Sequence, residues 1–463
     1  MNYHNNGIKE SAEVTPTSSA TDTHLALDSI PAPKETFFLA IQHVCAAYAG
    51  IIAPPLIIGK ALDLPLAYLT ILLSTSILAS GAVTLLQTIG IPGIGVKLPL
   101  VEGVSFSTIA PMLIIGQMSP DPFTAMQIIM GSVIISSVFM FFGASLYARL
   151  LNFFPPLVLG SVVTVIGLTL IPVSIEWMQG QESTPFYQSP YIISLSFFTF
   201  MITIMAVRYG PKFVKRVSVL LGITTGTLIA IPMGLVDFSE AMTQDLFVLP
   251  HFLAFGMPKF EITSIISMTI VMWVIMIEAT CNIMAIGEIV GKDIKKQDVI
   301  NCLRADCLGS IFSAVLNGFQ CSAYGQNIGI IQISRVYSRY VVAVAGLLLV
   351  ILGMFPLLSA MIASIPLPVL GGACLAVFGL VVATGIQTLS SVDLTSEQGT
   401  VNSLIIAASI TMGMVPLVAP QFYTHFPHWV SIIFGSGITS SAITAIRLNL
   451  ILNEAPKIHR IRH

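Results

Sequence analysis

This chain has little charge. Only 9% of its 463 residues are Asp, Glu, Lys or Arg, where a soluble domain carries about 25%. That scarcity excludes an ordinary soluble globular protein. The six cysteines, at positions 45, 281, 302, 307, 321 and 374, form no Cys-x-x-Cys pair, so neither a metal site nor a disulfide framework is indicated. No phosphate-cradling glycine loop and no nucleophile spaced with a base is found, so an enzyme is not indicated and no cofactor is implied. The net charge of −2 says little, and no nucleic-acid partner is expected. Residues 1–36 hold no apolar run and no basic segment leading into one, so they read as a disordered cytoplasmic tail rather than a signal peptide.

What is present is apolar sequence in membrane-length pieces. Hydrophobic residues make up 55% of the chain, and one span needs about 20 of them. Fourteen candidate segments fit between residues 37 and 450, which predicts an all-α polytopic membrane protein in contact with the lipid bilayer. An even number of spans puts both termini on one side. If that side is the cytoplasm, all but Lys60 and Lys259 of the 20 Lys and Arg fall on it or in the adjoining turn, the bias expected of cytoplasmic loops.

The chain also repeats itself. PLVLG at 156–160 and VIGL at 165–168 recur as PVLGG at 368–372 and VFGL at 377–380, at a constant offset of 212 residues. These stretches are the fifth and twelfth segments. An odd number of spans separates them, so the halves are expected to be inverted in the membrane. The predicted organisation is a tail at 1–36, a first seven-span repeat at 37–236, a second inverted one at 262–450, and a basic cytoplasmic tail at 451–463. The alternative is chance similarity between two glycine-rich apolar stretches.

Two segments, the third and the tenth, are not plain spans. LPLVEGVSFSTIAPML carries Glu102, Gly103, Ser105, Ser107 and Pro111 where Leu would be expected. NGFQCSAYGQNIGIIQISR, at 317–335, is interrupted by Gly318, Gly325 and Gly329 and studded with polar groups that include Gln326 and Asn327. Each unsatisfied backbone group in lipid costs several kcal/mol, so such breaks are tolerated only where they line an enclosed cavity. Paired broken segments in inverted halves point to the midplane site of a secondary transporter. The bland reading is a helix contact through small residues.

Ionisable groups inside spans are functional by default. Glu278, after an apolar run in the eighth segment, is the clearest; the bland alternative is a snorkelling or structurally bonded acid. Asp306, in the ninth, is read either as functional or as an interfacial acid paired with Arg304 or capping a helix. His43, alone in the first, is read as a proton carrier or as a satisfied core histidine.

Gln326-Asn327-Ile328-Gly329, four residues and then Ser334-Arg335 resembles the signature of the nucleobase–ascorbate transporter family, with Ser334 in place of Thr. The resemblance covers most of residues 37–450. It implies two inverted seven-span repeats, short strands in the broken third and tenth spans, a core and a gate domain, and a homodimer. It implies that Glu278 and Gln326 hold the substrate ring with Asn327 beside them, and that Phe106 and Ser107 face the site. Gln42-His43 matches the family's first-span pair and Asp306 its ninth-span acid, both implied in proton coupling or site support. Gly329, Ser334 and Arg335 complete the motif. Asn282 stands where many nucleobase members carry Asp or His, and its surroundings resemble the uric-acid branch. Glu102 replaces an expected Gln.

The function so implied is a proton-coupled symporter importing a purine base through the inner membrane, uric acid first and xanthine second. A channel or anion exchanger of the same inverted architecture is the alternative.

Overall fold

The computed structural model describes residues 27–454, apart from 151–154, 181–185, 212–213, 216, 240, 244, 326, 329–330, 332–335, 424, 428–429 and 431–433. Gln326, Gly329, Ser334 and Arg335 thus lie outside the described residues.

In chain order the elements are α1 (Pro33–Ala61), α2 (Leu66–Ile89), β1 (Glu102–Val104), α3 (Ile109–Met118), α4 (Pro122–Leu150), α5 (Pro156–Met178), α6 (Pro190–Tyr209) and α7 (Ser218–Ala230). There follow α8 (Ile262–Val290), α9 (Lys296–Val315), β2 (Cys321–Ala323), α10 (Arg339–Leu352), α11 (Pro356–Ala363), α12 (Leu367–Leu389), α13 (Glu397–Val418) and α14 (Gly437–Asn449). The helices begin where the sequence supplies starting chemistry. Prolines open α1, α5, α6, α11 and α12 within the first turn, where a missing N–H costs nothing. Ser189, Ser396 and Ser436 cap α6, α13 and α14 by accepting a backbone N–H.

Eight of the described helices are long and apolar enough to cross a membrane, or nine if α10 and α11, bent by 79° at their junction, are one span. Phe139, Phe142 and Leu146 stand exposed on α4; such residues belong in lipid. The other segments expected from hydropathy differ for identifiable reasons. The third is broken by β1. The seventh and fourteenth hold the short α7 and α14. The ninth, α9, carries Asp298, Arg304 and Asp306. The tenth begins with β2.

Packing sorts the helices into two groups. In one, α2 packs on α10, α1 on both, and α4 on α8 and α9. In the other, α5 lies along α12, with α6, α7, α13 and α14 around them. The α5–α12 pair is antiparallel and close. A Cβ on Gly160 would meet Leu389, one on Gly167 would meet Val382 and the Phe378 carbonyl, and one on Gly371 would meet Ser174 and Met178. Small residues let two helix backbones approach in a membrane, where packing rather than water drives association. The groups touch where α1 faces α7 and where α8 faces α5 and α14.

Candidate functional site

The site is built around two three-residue strands. β1 and β2 pair antiparallel with Glu102 opposite Ala323, Gly103 opposite Ser322 and Val104 opposite Cys321. The ladder continues at both ends: Ser105 N–H donates to Gln320 O (2.9 Å) and Tyr324 N–H to Val101 O (2.9 Å). The two strands thus satisfy each other's buried backbone groups. Tyr324 lies across the pair, its hydroxyl donating to Val104 O at 2.9 Å. Its ring occupies the space above Gly103 where any side chain would stand. Past β1, Ser105 Oγ accepts the Ser107 N–H (3.3 Å) and starts a 3-10 turn, Phe106–Thr108, that runs into α3. Ser107 is buried, and Phe106 meets Phe378 of α12 edge to face at 6.2 Å and 82°. Phe106 therefore bridges the two helix groups.

Glu278 sits on α8 one turn before Asn282, on the same face. Asn282 Nδ2 donates to Ala323 O (2.8 Å), fastening that face to β2. Among the described residues the Glu278 carboxylate makes no hydrogen bond or ion pair. Asp306, fully buried on α9, accepts a 2.6 Å bond from Gln87 Nε2 at Oδ1, while Oδ2 has no partner among the described residues. Its backbone oxygen accepts from Ser310 Oγ (2.7 Å), which in turn accepts the Cys321 N–H (2.9 Å). The acid is thereby tied to the start of β2. Arg304 does not pair with it; that guanidinium lies over the Phe141 ring at 5.7 Å. Near the end of α8, Glu288 is exposed, and Lys292 just beyond the helix bonds Asp298 at 3.2 Å.

His43, buried in α1, meets Asn327: Asn327 Nδ2 lies 3.3 Å from its Nδ1 and donates to its carbonyl oxygen at 3.0 Å. Asn327 thus spends its donor on α1, leaving a buried Oδ1 with no partner among the described residues. Gln42, half-buried, adjoins His43 in the chain. Gln87 is the residue sequence reasoning missed. Besides Asp306 it donates to Cys302 O (3.0 Å) and accepts the Val96 N–H (3.2 Å). Its one signal was a lone amide near the end of an apolar helix.

The strand pair thus joins two distant apolar stretches, with the buried acids Glu102 and Asp306 beside it. The model of the Permease family matches residues 34–422. This chain belongs to that family. The permease is 39% identical to the nucleobase transporter PlUacP of Paenibacillus larvae, over 90% of this chain and 95% of that one. It is 37% identical to the uric acid transporter UacT of Escherichia coli, over 95% and 90%. It is 35% identical to the xanthine permease of Bacillus subtilis, over 92% and 96%. Its fold is that of the transmembrane domain of the cyanobacterial bicarbonate transporter BicA, with a TM-score of 0.55, 14% identity and coverage of 91% of this chain and 98% of that one. The murine solute carrier 26 family member A9 anion transporter shares it, with a TM-score of 0.62, 9% identity and coverage of 96% and 74%. The permease is a membrane transporter and not an enzyme.

Proposed function

We propose that this permease is a proton-coupled symporter that imports a purine base, urate first and xanthine second, across the inner membrane. The observation that carries the reading is the unengaged Glu278 carboxylate on the α8 face that Asn282 docks to β2. A carboxylate only accepts hydrogen bonds, and the pyrimidinedione edge shared by urate and xanthine presents ring N–H groups. The relatives named uric acid and xanthine transporters support this class of substrate. Asn282 favours urate, mainly a monoanion at neutral pH, because it adds no further carboxylate beside Glu278.

In this reading fourteen spans form two inverted repeats, both termini are cytoplasmic, and the protein is a homodimer. The group holding α1, α2, α4 and α8–α10 is the core, and the group around α5 and α12 is the gate. The offset repeat and the antiparallel α5–α12 pair support the inversion. His43 and Asp306 serve coupling or site support, and Phe106 and Ser107 line the substrate side.

The test is uptake of labelled urate, xanthine and uracil at equal concentration, with and without a protonophore. Urate uptake exceeding xanthine uptake, with both abolished by the protonophore, is expected. Uracil uptake without urate uptake overturns the substrate assignment, and protonophore-insensitive uptake overturns the coupling.

A further inference from the structure

Glu102 is used by nothing described so far. It opens β1, it is fully buried, and neither carboxylate oxygen has a hydrogen-bond partner among the described residues. Its backbone is held in place: Glu102 N–H donates to Thr84 Oγ1 at 2.9 Å. Thr84 and Gln87 are three residues apart on α2 and share a face. That one face thus anchors Glu102 through Thr84 and Asp306 through Gln87.

The charges that reach Glu102 are both negative, Asp306 from α9 and Glu278 from α8. The thiols of Cys302 and Cys321 and the Tyr324 phenol also lie within electrostatic range. α2 offers only the neutral Thr84 and Gln87 here. From α1, His43 faces Asn327, and Lys60 stands at the far end of the helix. Among the described residues the two salt bridges are Lys292–Asp298 and Arg339–Asp28, and neither includes any of these three acids. A bare carboxylate out of water is costly without a partner, and neighbouring carboxylates in such a place cannot all ionise. Asp306 accepts one bond, from Gln87, at Oδ1, whereas neither Glu102 oxygen has a donor among the described residues.

We propose that Glu102 carries a proton in the transport cycle, sharing it with Asp306, so that the two acids load and release it as one coupled unit. Loading forms one O–H bond on a carboxylate oxygen with a proton from the outer side. Release breaks that bond and gives the proton to cytoplasmic water, and the substrate is chemically unchanged. Macroscopically the pair takes up and loses the proton together rather than either acid alone. Because β1 pairs with β2, a change of charge at Glu102 is felt directly at the strand crossing. The proposal rests on the proton-coupled reading above.

The test uses purified protein in liposomes, with three readouts: counterflow of labelled urate without a pH gradient, accumulation under an inward gradient, and internal pH reported by a trapped dye. Wild type should accumulate about tenfold per proton and pH unit and acidify the lumen as substrate enters. Glu102→Gln keeps the side chain's size and mimics its neutral form. It should show slower but measurable counterflow, accumulation near unity and no acidification. Glu102→Asp should recover acidification with a displaced pH profile, which a merely structural role would not produce. Infrared difference spectra of the wild type across a pH step, needing no substrate, should show a buried carboxylic-acid band that Glu102→Gln or Glu102→Asp alters. Wild-type accumulation and acidification in Glu102→Gln overturn the proposal alone, as does an infrared band unmoved in both variants. Wild-type counterflow without acidification overturns the coupled reading and the proposal with it.

Discussion

Gly103→Ala tests the strand crossing with one methyl group. The added Cβ would lie 2.6 Å from the Tyr324 hydroxyl oxygen and 2.7 Å from ring carbon Cε2, against the roughly 3.5–4 Å of carbon contacts at rest. The ring must retreat by about 1 Å, in a site where Tyr324 is 5% exposed. Overpacking of that kind costs about 1–3 kcal/mol. The retreat also breaks the 2.9 Å bond to Val104 O, and leaving a buried phenol unpaired adds about 1–3 kcal/mol. The expected total is therefore about 2–6 kcal/mol, concentrated where the two broken segments meet. Gly103→Ala should lower the detergent melting temperature and reduce substrate uptake at equal membrane abundance. Tyr324→Leu removes the clashing ring, so the double variant should be less destabilised than the two single effects predict, by about 1 kcal/mol or more of coupling. Wild-type melting and uptake in Gly103→Ala, or strict additivity in the cycle, would refute the reasoning.

Other outcomes follow from the same geometry. Glu278→Gln should remain in the membrane yet lose uptake, because losing a charge-assisted acceptor costs about 2–3 kcal/mol, or roughly 30–150-fold in affinity; near-normal uptake by the variant would sink the assignment. Asp306→Asn should bind substrate but lose its proton dependence, and a folded variant that binds no substrate would make Asp306 a ligand instead. A reporter inserted after Gln188 should be reached from outside and one after Gly210 only from the cytoplasm; swapped readings would overturn the topology. Asp393 accepts bonds from Ser396 and Thr395 that hold its carboxyl down at about 2. With the folded value depressed, its contribution is fully present above the ordinary range near 4 and fades as pH falls toward the folded value. The melting difference between Asp393→Asn and the parent should therefore match at pH 7 and pH 5 and shrink only at lower pH.

Much of the site is legible in the chain because membrane sequence is so restrictive. Gly103 and Gln320 stand out where lipid would favour Leu, and both lie at the strand pair. Glu278 is conspicuous for the same reason. Contacts between distant residues are not legible in this way. Gln87 and Asp306 are 219 positions apart, and His43 and Asn327 are 284 apart. An amide advertises bonding capacity but not its partner, so Gln87 passes for an ordinary helix-end residue. The bend between α10 and α11 is likewise hidden, since hydropathy reads continuously across 338–362 while Pro356 opens a separate helix. Asn327 is placed near the site by its motif, but its bond to α1 is visible only in three dimensions.

The β1–β2 pair also sets a schedule for biogenesis. Glu102–Val104 emerges from the ribosome more than two hundred residues before Cys321–Ala323, its sheet partner among the described residues. At about 5–20 residues per second the wait is on the order of 10–45 s. Throughout it, the first strand's backbone groups have no sheet partner, and hydrocarbon cannot solvate them. The newly inserted first half must therefore shelter this strand in water, in the insertion machinery or against α2 until the second half arrives. Mutations that weaken the crossing should thus reduce yield during synthesis before they reduce turnover in the finished protein.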